Sequence, residues 1–344
     1  MRKTTIAVLG CLWVSLAATT GAPADDADRV AMLAGELADS SFKVRLKAAV
    51  LLGRTADEKA VGPLIKALRD ENYVVRGAAA RALGNLGLPH SLRAIEWIFP
   101  LADDEEPFVR KEAQSALARL TSQESLDRII AGLSHEKPSV RQVVVRLLSA
   151  VVTLPDARAA IATALGDFDE DVRQEAVVAI KGMGQGDMEA LLLSALWRRD
   201  NYRVQAGAAR LLGEMRTAAS LGPLADLLVS DDVVPEVKKE AAEALASMKS
   251  LIDVKAQIAV LESSDRTAQD RAIKLLGIQG GQEAVEALLR LLKHSDFFVR
   301  RQAVFALGDA GDPRAVPALE YLQKNEDNQR FKDIIGRTIR KLKP

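Results

Sequence analysis

The chain has 344 residues, of which 48% are hydrophobic and only 4% aromatic, so its core must consist mainly of aliphatic and small side chains. Lys and Arg together number 47, and Asp and Glu also number 47. This balance excludes the strong positive field that favours nucleic acid or an anionic membrane surface. The length is compatible with two ordinary domains or with one elongated array.

The first 24 residues follow the plan of a secretory signal peptide. Arg2 and Lys3 precede an apolar run over residues 6–18, and Ala22-Pro23-Ala24 fits a cleavage site. The alternative is an apolar N-terminal helix that is retained, but the run is shorter than the ~20 residues of a membrane span. Cleavage near Ala24 predicts a periplasmic or secreted protein.

The only cysteine of the chain, Cys11, lies inside this segment. A bacterial lipoprotein box at Cys11 is disfavoured, because few apolar residues precede it and the apolar run continues past it. Cleavage removes Cys11 together with Arg2 and Lys3, so the mature chain has a formal charge of −2 and no thiol chemistry. No second apolar run approaches membrane-spanning length, which predicts no transmembrane segment.

A short phrase recurs along the rest of the chain, for example VRLKAAVLLG at 44–53 and VRRQAVFALG at 299–308. A catalytic motif occurs once, whereas a repeated phrase indicates a structural unit. The residue after the valine serves as an anchor, and the anchors are 31 to 34 residues apart. They are Arg45, Arg76, Arg110, Arg141, Arg173, Gln205, Lys238, Gln269 and Arg300.

Three columns around the anchor are apolar in almost every repeat: Val at −1, Ala at +3 and Leu at +7. Steps of four residues trace one stripe of an α-helix. Gly at +8, as in Gly84 and Gly213, predicts either a helix C-cap or a close-packing site. A second helical pattern lies between successive anchors, and Pro63, Pro223 and Pro317 are expected to kink it.

Each repeat is therefore predicted to be a helical hairpin of about 32 residues that must stack on its neighbours to bury its faces. The sequence predicts a repeat domain over residues 25–343. From residue 312 the valine–arginine pair is missing, but Phe331, Ile335, Ile339 and Leu342 still form a helical stripe. Residues 312–343 are therefore predicted to be a capping repeat.

The phrase D-x-x-x-V-R-x-x-A-x-x-A-L-G, followed by G-D-P-R-A-V-P-A-L at 311–319, resembles HEAT repeats of the phycobilisome-lyase subclass. The resemblance covers roughly residues 28–343. It implies an all-α, right-handed α-solenoid of about ten hairpins, of the armadillo and HEAT type. It specifies function only weakly, since the repeated residues are those that pack.

The resemblance also implies a role for the repeated charges. An acid stands about six residues before many anchors, and in HEAT-like families such pairs form a ladder between the turn of one hairpin and the next helix. The ladder is expected to be structural. It comprises Asp39, Arg45, Asp70, Arg76, Asp104, Arg110, Asp167 and Arg173, and Gln205 and Gln269 interrupt it.

Positions +1 and +5 should point away from the core, onto the helix face that lines the concave surface of HEAT solenoids. This row is rich in basic residues and contains only Glu243 and Asp270 as acids. It is either an unselective solvated face or a groove for an acidic peptide or other polyanion. The basic members are Arg81, Lys111, Arg146, Arg210, Lys239, Lys274 and Arg301.

No catalytic, cofactor or metal site is predicted. The histidines, His90, His135 and His294, have no partners at ligand spacing except in His135-Glu136. Deoxyhypusine hydroxylase is also a HEAT-like protein and uses several His-Glu motifs to hold two iron ions. A single His-Glu pair cannot supply that site, so His135 is expected to replace a turn aspartate.

These observations favour an exported, non-enzymatic interaction scaffold that binds a protein or acidic peptide. Nucleic acid is not expected as a partner, and the protein is expected to be monomeric. The alternative is a HEAT-like enzyme or enzyme subunit of the bilin-lyase or deoxyhypusine-hydroxylase kind. The missing His-Glu motifs disfavour this alternative.

Overall fold

The computed structural model describes residues 23–343, and every regular element in that range is helical. The predicted signal-peptide segment up to residue 22, including Cys11, lies outside the described residues. None of the helices between residues 23 and 343 is long and apolar enough to cross a bilayer.

Ten helical pairs follow one another in this range, and odd-numbered helices are the first members of the pairs. Short 3₁₀ segments precede or extend several first helices, as at Glu58–Ala60 and Pro313–Ala315. The helices are α1 (Pro23–Glu36), α2 (Phe42–Leu52), α3 (Val61–Ala67), α4 (Tyr73–Leu86), α5 (Ile95–Ile98), α6 (Pro107–Leu120), α7 (Leu126–Ala131), α8 (Pro138–Ser149), α9 (Pro155–Ala164), α10 (Glu170–Lys181), α11 (Gln185–Ala195), α12 (Tyr202–Met215), α13 (Ala218–Val229), α14 (Pro235–Ser247), α15 (Val254–Val260), α16 (Arg266–Gln279), α17 (Gly281–Leu291), α18 (Phe297–Ala310), α19 (Val316–Asn325) and α20 (Gln329–Leu342).

The even-numbered helices α2 to α18 carry the anchors, and their predicted stripe is the buried face. In α12, for example, Val204, Ala208 and Leu212 are fully buried. The second helix of a pair commonly begins after an Asn or Asp whose side chain accepts a backbone N–H. Asn72 accepts from Val74, and Asn201 accepts from Arg203. The all-α prediction and the count of about ten hairpins are confirmed.

The described residues divide into two compact units, residues 23–120 and residues 121–343. The first unit contains α1 to α6, and the second contains α7 to α20. Within the second unit, α20 buries Phe331, Ile335, Ile339 and Leu342 in a core shared with α18 and α19. The loosened final repeat therefore still packs as a helical pair.

The prolines of the first helices differ from the expectation. Pro223 lies inside α13, but Pro63 is the third residue of α3 and Pro317 is the second residue of α19. N–H groups of the first turn have no partner within their helix, so proline fits there without removing a hydrogen bond. The predicted interior position therefore holds only for Pro223.

Candidate functional site

The stacking of second helices changes within the second unit. Helix α12 packs along α14, and α16 packs along α18, but α14 and α16 touch only slightly. Helix α13 packs against α16 instead. Arg271 of α16 holds this contact through two hydrogen bonds to the carboxylate of Asp226 on α13, at 2.6 and 2.9 Å. A cleft opens where the stacking changes.

The cleft is a cavity of about 320 Å³ lined by residues of α13, α14, α16 and α18. Leu228, Ile273 and Phe305 provide apolar surface, and 43% of Phe305 is exposed. Asp270 and Arg301 are half-buried polar members of the lining. Seven of the twelve lining residues are polar or charged, and these side chains give the cavity its capacity for hydrogen bonding.

Asp270 is the most unusual carboxyl group of the cavity. Its Oδ2 atom lies 3.6 Å from the Nε atom of Arg266, one helical turn away. Its Oδ1 atom is buried and accepts no hydrogen bond from the residues that the structure describes. Burial raises the pKa of Asp270 above its usual range, and the attraction of Arg266 opposes this only partly. Asp270 can therefore exchange a proton closer to neutral pH than an exposed aspartate.

Arg301 lies in the same cavity and also has an unused polar atom. Its Nε atom is buried and has no acceptor within residues 23–343. Its guanidinium carbon stands 5.3 Å from the ring centre of Phe298, which is half exposed. The residues of the cavity wall thus include one acceptor, on Asp270, and one donor, on Arg301, whose hydrogen-bonding capacity is unfilled within the described residues.

The predicted basic row is largely neutralised by acids. Arg81 pairs with Glu112 at 2.6 Å, and Arg146 pairs with Glu175 at 2.7 Å. Lys274 pairs with Asp309 at 2.7 Å, while Lys239 lies 3.9 Å from Glu243. Lys111 and Arg210 are exposed. Of the seven residues, the structure brings only Lys274 and Arg301 together in the Asp270 cavity.

The predicted ladder joins consecutive repeats. Arg45 donates to the carboxylate of Asp70 at 2.7 and 2.9 Å, and Arg76 donates to that of Asp104 at 2.8 and 2.9 Å. The acid six residues before each arginine contributes its backbone carbonyl instead. The O atom of Asp39 accepts from Arg45 at 3.0 Å. The same carbonyl contact is made by Arg110 with Asp104, and by Arg173 with Asp167.

At the two glutamine anchors a neutral hydrogen bond takes the place of the charged contacts of the ladder. The side-chain amide of Gln205 donates to the carbonyl of Leu196, and that of Gln269 donates to the carbonyl of Leu261, both at 2.8 Å. Gln269 directly precedes Asp270. The interruption of the ladder at Gln269 is therefore the feature of the sequence that lies next to the cavity.

His135 occupies a turn position that aspartate holds in sister repeats. Its Nδ1 atom accepts the N–H of Lys137 at 3.1 Å, just as the carboxylate of Asp70 accepts the N–H of Asn72. His294 accepts the N–H of Asp296 in the same way. Within the described part of the chain, no group of three or more His, Cys, Asp and Glu side chains is arranged to hold a metal ion.

These features define an all-α protein built from tandem helical hairpins. The family model for HEAT repeats matches residues 30–96, 95–181, 157–246, 189–262 and 254–337. The chain belongs to the HEAT-repeat family.

Two curated enzymes are similar to the chain. The deoxyhypusine hydroxylase of Schizosaccharomyces pombe is 27% identical over 224 residues, which cover 61% of this chain and 67% of the enzyme. Deoxyhypusine hydroxylase-B of Oryza sativa is 29% identical over 237 residues, which cover 65% of this chain and 72% of the enzyme.

Two solved structures align with most of the chain, but their similarity to it is low. An engineered protein is 23% identical with a TM-score of 0.30, covering 92% of this chain and 99% of its own. A TOG-domain array of microtubule polymerases is 12% identical with a TM-score of 0.32, covering 90% of this chain and 100% of its own.

The curated relatives contradict two predictions from the sequence. A non-enzymatic scaffold and the absence of enzymatic activity were expected, but both relatives are named as enzymes. The error has a physical origin. The repeated columns are packing residues, which an enzyme and a scaffold of this family need equally.

Proposed function

We propose that the chain is an enzyme or enzyme subunit related to the deoxyhypusine hydroxylases, with its reaction site in the Asp270 cavity. The similarity to two such enzymes over 61% and 65% of the chain carries the proposal. Membership of the phycobilisome-lyase subclass of HEAT repeats is a further part of it, based on the repeat phrase that ends in Ala-Leu-Gly.

The substrate we propose is a protein side chain that ends in an amino group, as deoxyhypusine does. The unfilled Oδ1 atom of Asp270 can accept a hydrogen bond from an ammonium group. Leu228, Ile273 and Phe305 offer apolar surface to the methylene groups of such a side chain. Lys274 is paired with Asp309, and the remaining charged lining residues, Asp231 and Asp270 against Lys238 and Arg301, cancel in number, so the cavity carries no net positive charge that opposes a cationic substrate.

The metal centre implied by the resemblance does not fit these residues. His135 is engaged in its turn, and the described residues hold no cluster of metal-ligating side chains. The proposal therefore assigns substrate binding and proton transfer to Asp270, and it assigns no oxidation step to a named residue.

Asp270→Asn is expected to weaken binding of a protein that carries deoxyhypusine by about tenfold, because a charge-assisted hydrogen bond becomes a neutral one. Calorimetry should compare the modified protein with its unmodified lysine form. Asp333→Asn, an exposed aspartate of α20, is the matched control and should change nothing. Mass spectrometry of the modified protein before and after incubation with the chain should detect a chemical change at the deoxyhypusine side chain. Equal binding of the two substrate forms, together with an unchanged mass, would reject the proposal.

Export and a monomeric state are also part of the proposal. The support for export is the signal-peptide plan of the first 24 residues. We expect native mass spectrometry of the protein from its host to give the mass of one chain beginning at Asp25. A mass that includes residues 1–24 would contradict export, and a multiple of that mass would contradict a monomer.

A further inference from the structure

A second cavity lies in the first unit, on the first helices of two consecutive repeats. It has a volume of about 500 Å³, within the range of sites for small organic ligands. Ile65 of α3 and Trp97 of α5 supply its apolar surface, and Gly62 leaves room beside them. The indole of Trp97 is 44% exposed, which is unusual for so large an apolar group.

Every charged residue that lines this cavity is basic: Lys66, Arg69 and Arg93. The side chains of these three residues form no ion pair or hydrogen bond with another described residue, whereas most of the basic row on the second helices is paired with acids. The guanidinium carbon of Arg69 lies 4.9 Å from the centre of the Trp97 ring. Of these cations only Arg69 has a partner, the indole itself, so ion pairing within the fold does not explain the cluster.

We propose that this cavity binds a small aromatic anion, a flat ring that carries a carboxylate or similar group. The ring would stack on Trp97 and Ile65, since an aromatic ring gains both apolar burial and stacking there. The anionic group would lie between Arg69 and Arg93, whose guanidinium groups favour bidentate bonds with carboxylates. The basic side chains favour a ligand that carries a negative charge, and the apolar surface of Ile65 and Trp97 favours a ligand with a ring. The site is independent of the Asp270 cavity and of the proposed enzymatic function.

2-Naphthoate is a suitable probe, and uncharged 2-naphthamide is its neutral counterpart. We expect saturable binding of 2-naphthoate to the full chain, with quenching of Trp97 fluorescence, and at least about tenfold weaker binding of 2-naphthamide. Substituting both Arg69→Gln and Arg93→Gln should remove most of this tenfold preference and leave the affinity for 2-naphthamide nearly unchanged. Equal binding of the two probes by the unsubstituted protein would overturn the proposal.

Trp197 offers a matched control, because it is 43% exposed and lies shortly after the end of a first helix, α11. Trp97→Leu should abolish the quenching and weaken the binding of 2-naphthoate at least about tenfold. Trp197→Leu should preserve both the affinity for 2-naphthoate and the quenching. Equal losses in the two variants would show that the probe adheres to any exposed indole, and would overturn the assignment. A peptide ending in phenylalanine that binds about 100-fold more tightly than 2-naphthoate would identify a docking surface for chain ends, which also contradicts a small-molecule site.

Discussion

Gly213→Ala is expected to destabilise the second unit by about 2 kcal/mol, although alanine is a better helix former than glycine. A Cβ atom at Gly213 would lie 2.7 Å from both the Cα and the Cβ atoms of Ala244 on α14. These distances are far below van der Waals contact, and one of the atoms belongs to the backbone. Helix α14 must therefore move away from α12. Urea denaturation followed by the fluorescence of Trp197, in a Trp97→Phe background, measures the loss.

Gly186→Ala is the matched control for this substitution. Gly186 lies in α11, and a Cβ atom there would meet no atom within 4 Å. Alanine at this position should stabilise the unit by up to about 1 kcal/mol, through helix propensity alone. The two substitutions are chemically identical, so opposite signs isolate the close approach of α12 and α14. A Gly213→Ala variant that is as stable as Gly186→Ala would contradict the packing described.

The sequence predicted the second helices well because their columns record packing directly. Each column lies on the buried face, as Val204, Ala208 and Leu212 illustrate. The glycine at +8 left two possibilities open, and the structure selects close packing at Gly213. A left-handed C-cap occurs three residues after the +8 position in α18, at Gly311, where φ is +68°.

The candidate site was harder to predict, because it depends on how one repeat is offset from the next. The count of charges at +1 and +5 omitted Glu112 and Glu175, which stand at +2 of the following repeat. Periodicity alone cannot reveal that these acids reach Arg81 and Arg146. The basic row at +1 and +5 did identify Asp270 as an acid among basic residues. Gln269, the neighbouring residue, marks a position where the ladder is interrupted.

The change of stacking at this cavity has only a partial signature in the columns. Val at −1 becomes Ala268 and the anchor becomes Gln269, but the pattern at +3 and +7 continues unchanged. The decisive contact is the pair between Arg271 and Asp226, which are 45 residues apart. This ion pair is not part of the repeat pattern, so a prediction from the repeat pattern cannot identify it. Functional residues of repeat proteins are, for the same reason, those that depart from the repeat.

Asp167→Asn is expected to lower the free energy of unfolding by about 2 kcal/mol at pH 7, since it removes a charged, largely buried hydrogen-bond partner of Arg141. Arg141 donates to the two oxygens of Asp167 at 2.8 and 2.7 Å, and both side chains are only about one-eighth exposed. Asparagine keeps the shape but can accept only one of these bonds. Urea denaturation of the second unit, with the Trp197 signal, measures the difference.

The same substitution predicts how the difference depends on pH. Burial alone would raise the pKa of Asp167, but hydrogen bonds from Arg141 and from the N–H of Asp169 outweigh it and lower the pKa. The unfolded chain therefore takes up the proton first, near pH 4, so the contribution of the carboxylate is complete above that pH and is lost as the pH falls towards the folded-state pKa. The gap between the unsubstituted protein and Asp167→Asn should accordingly narrow from pH 7 to pH 3. Asp187→Asn, which removes an exposed partner of Arg158, should cost less than about 1 kcal/mol at pH 7. A gap of equal size at both pH values would mean that the shape of the Asp167 side chain, and not its charge, holds the two repeats together.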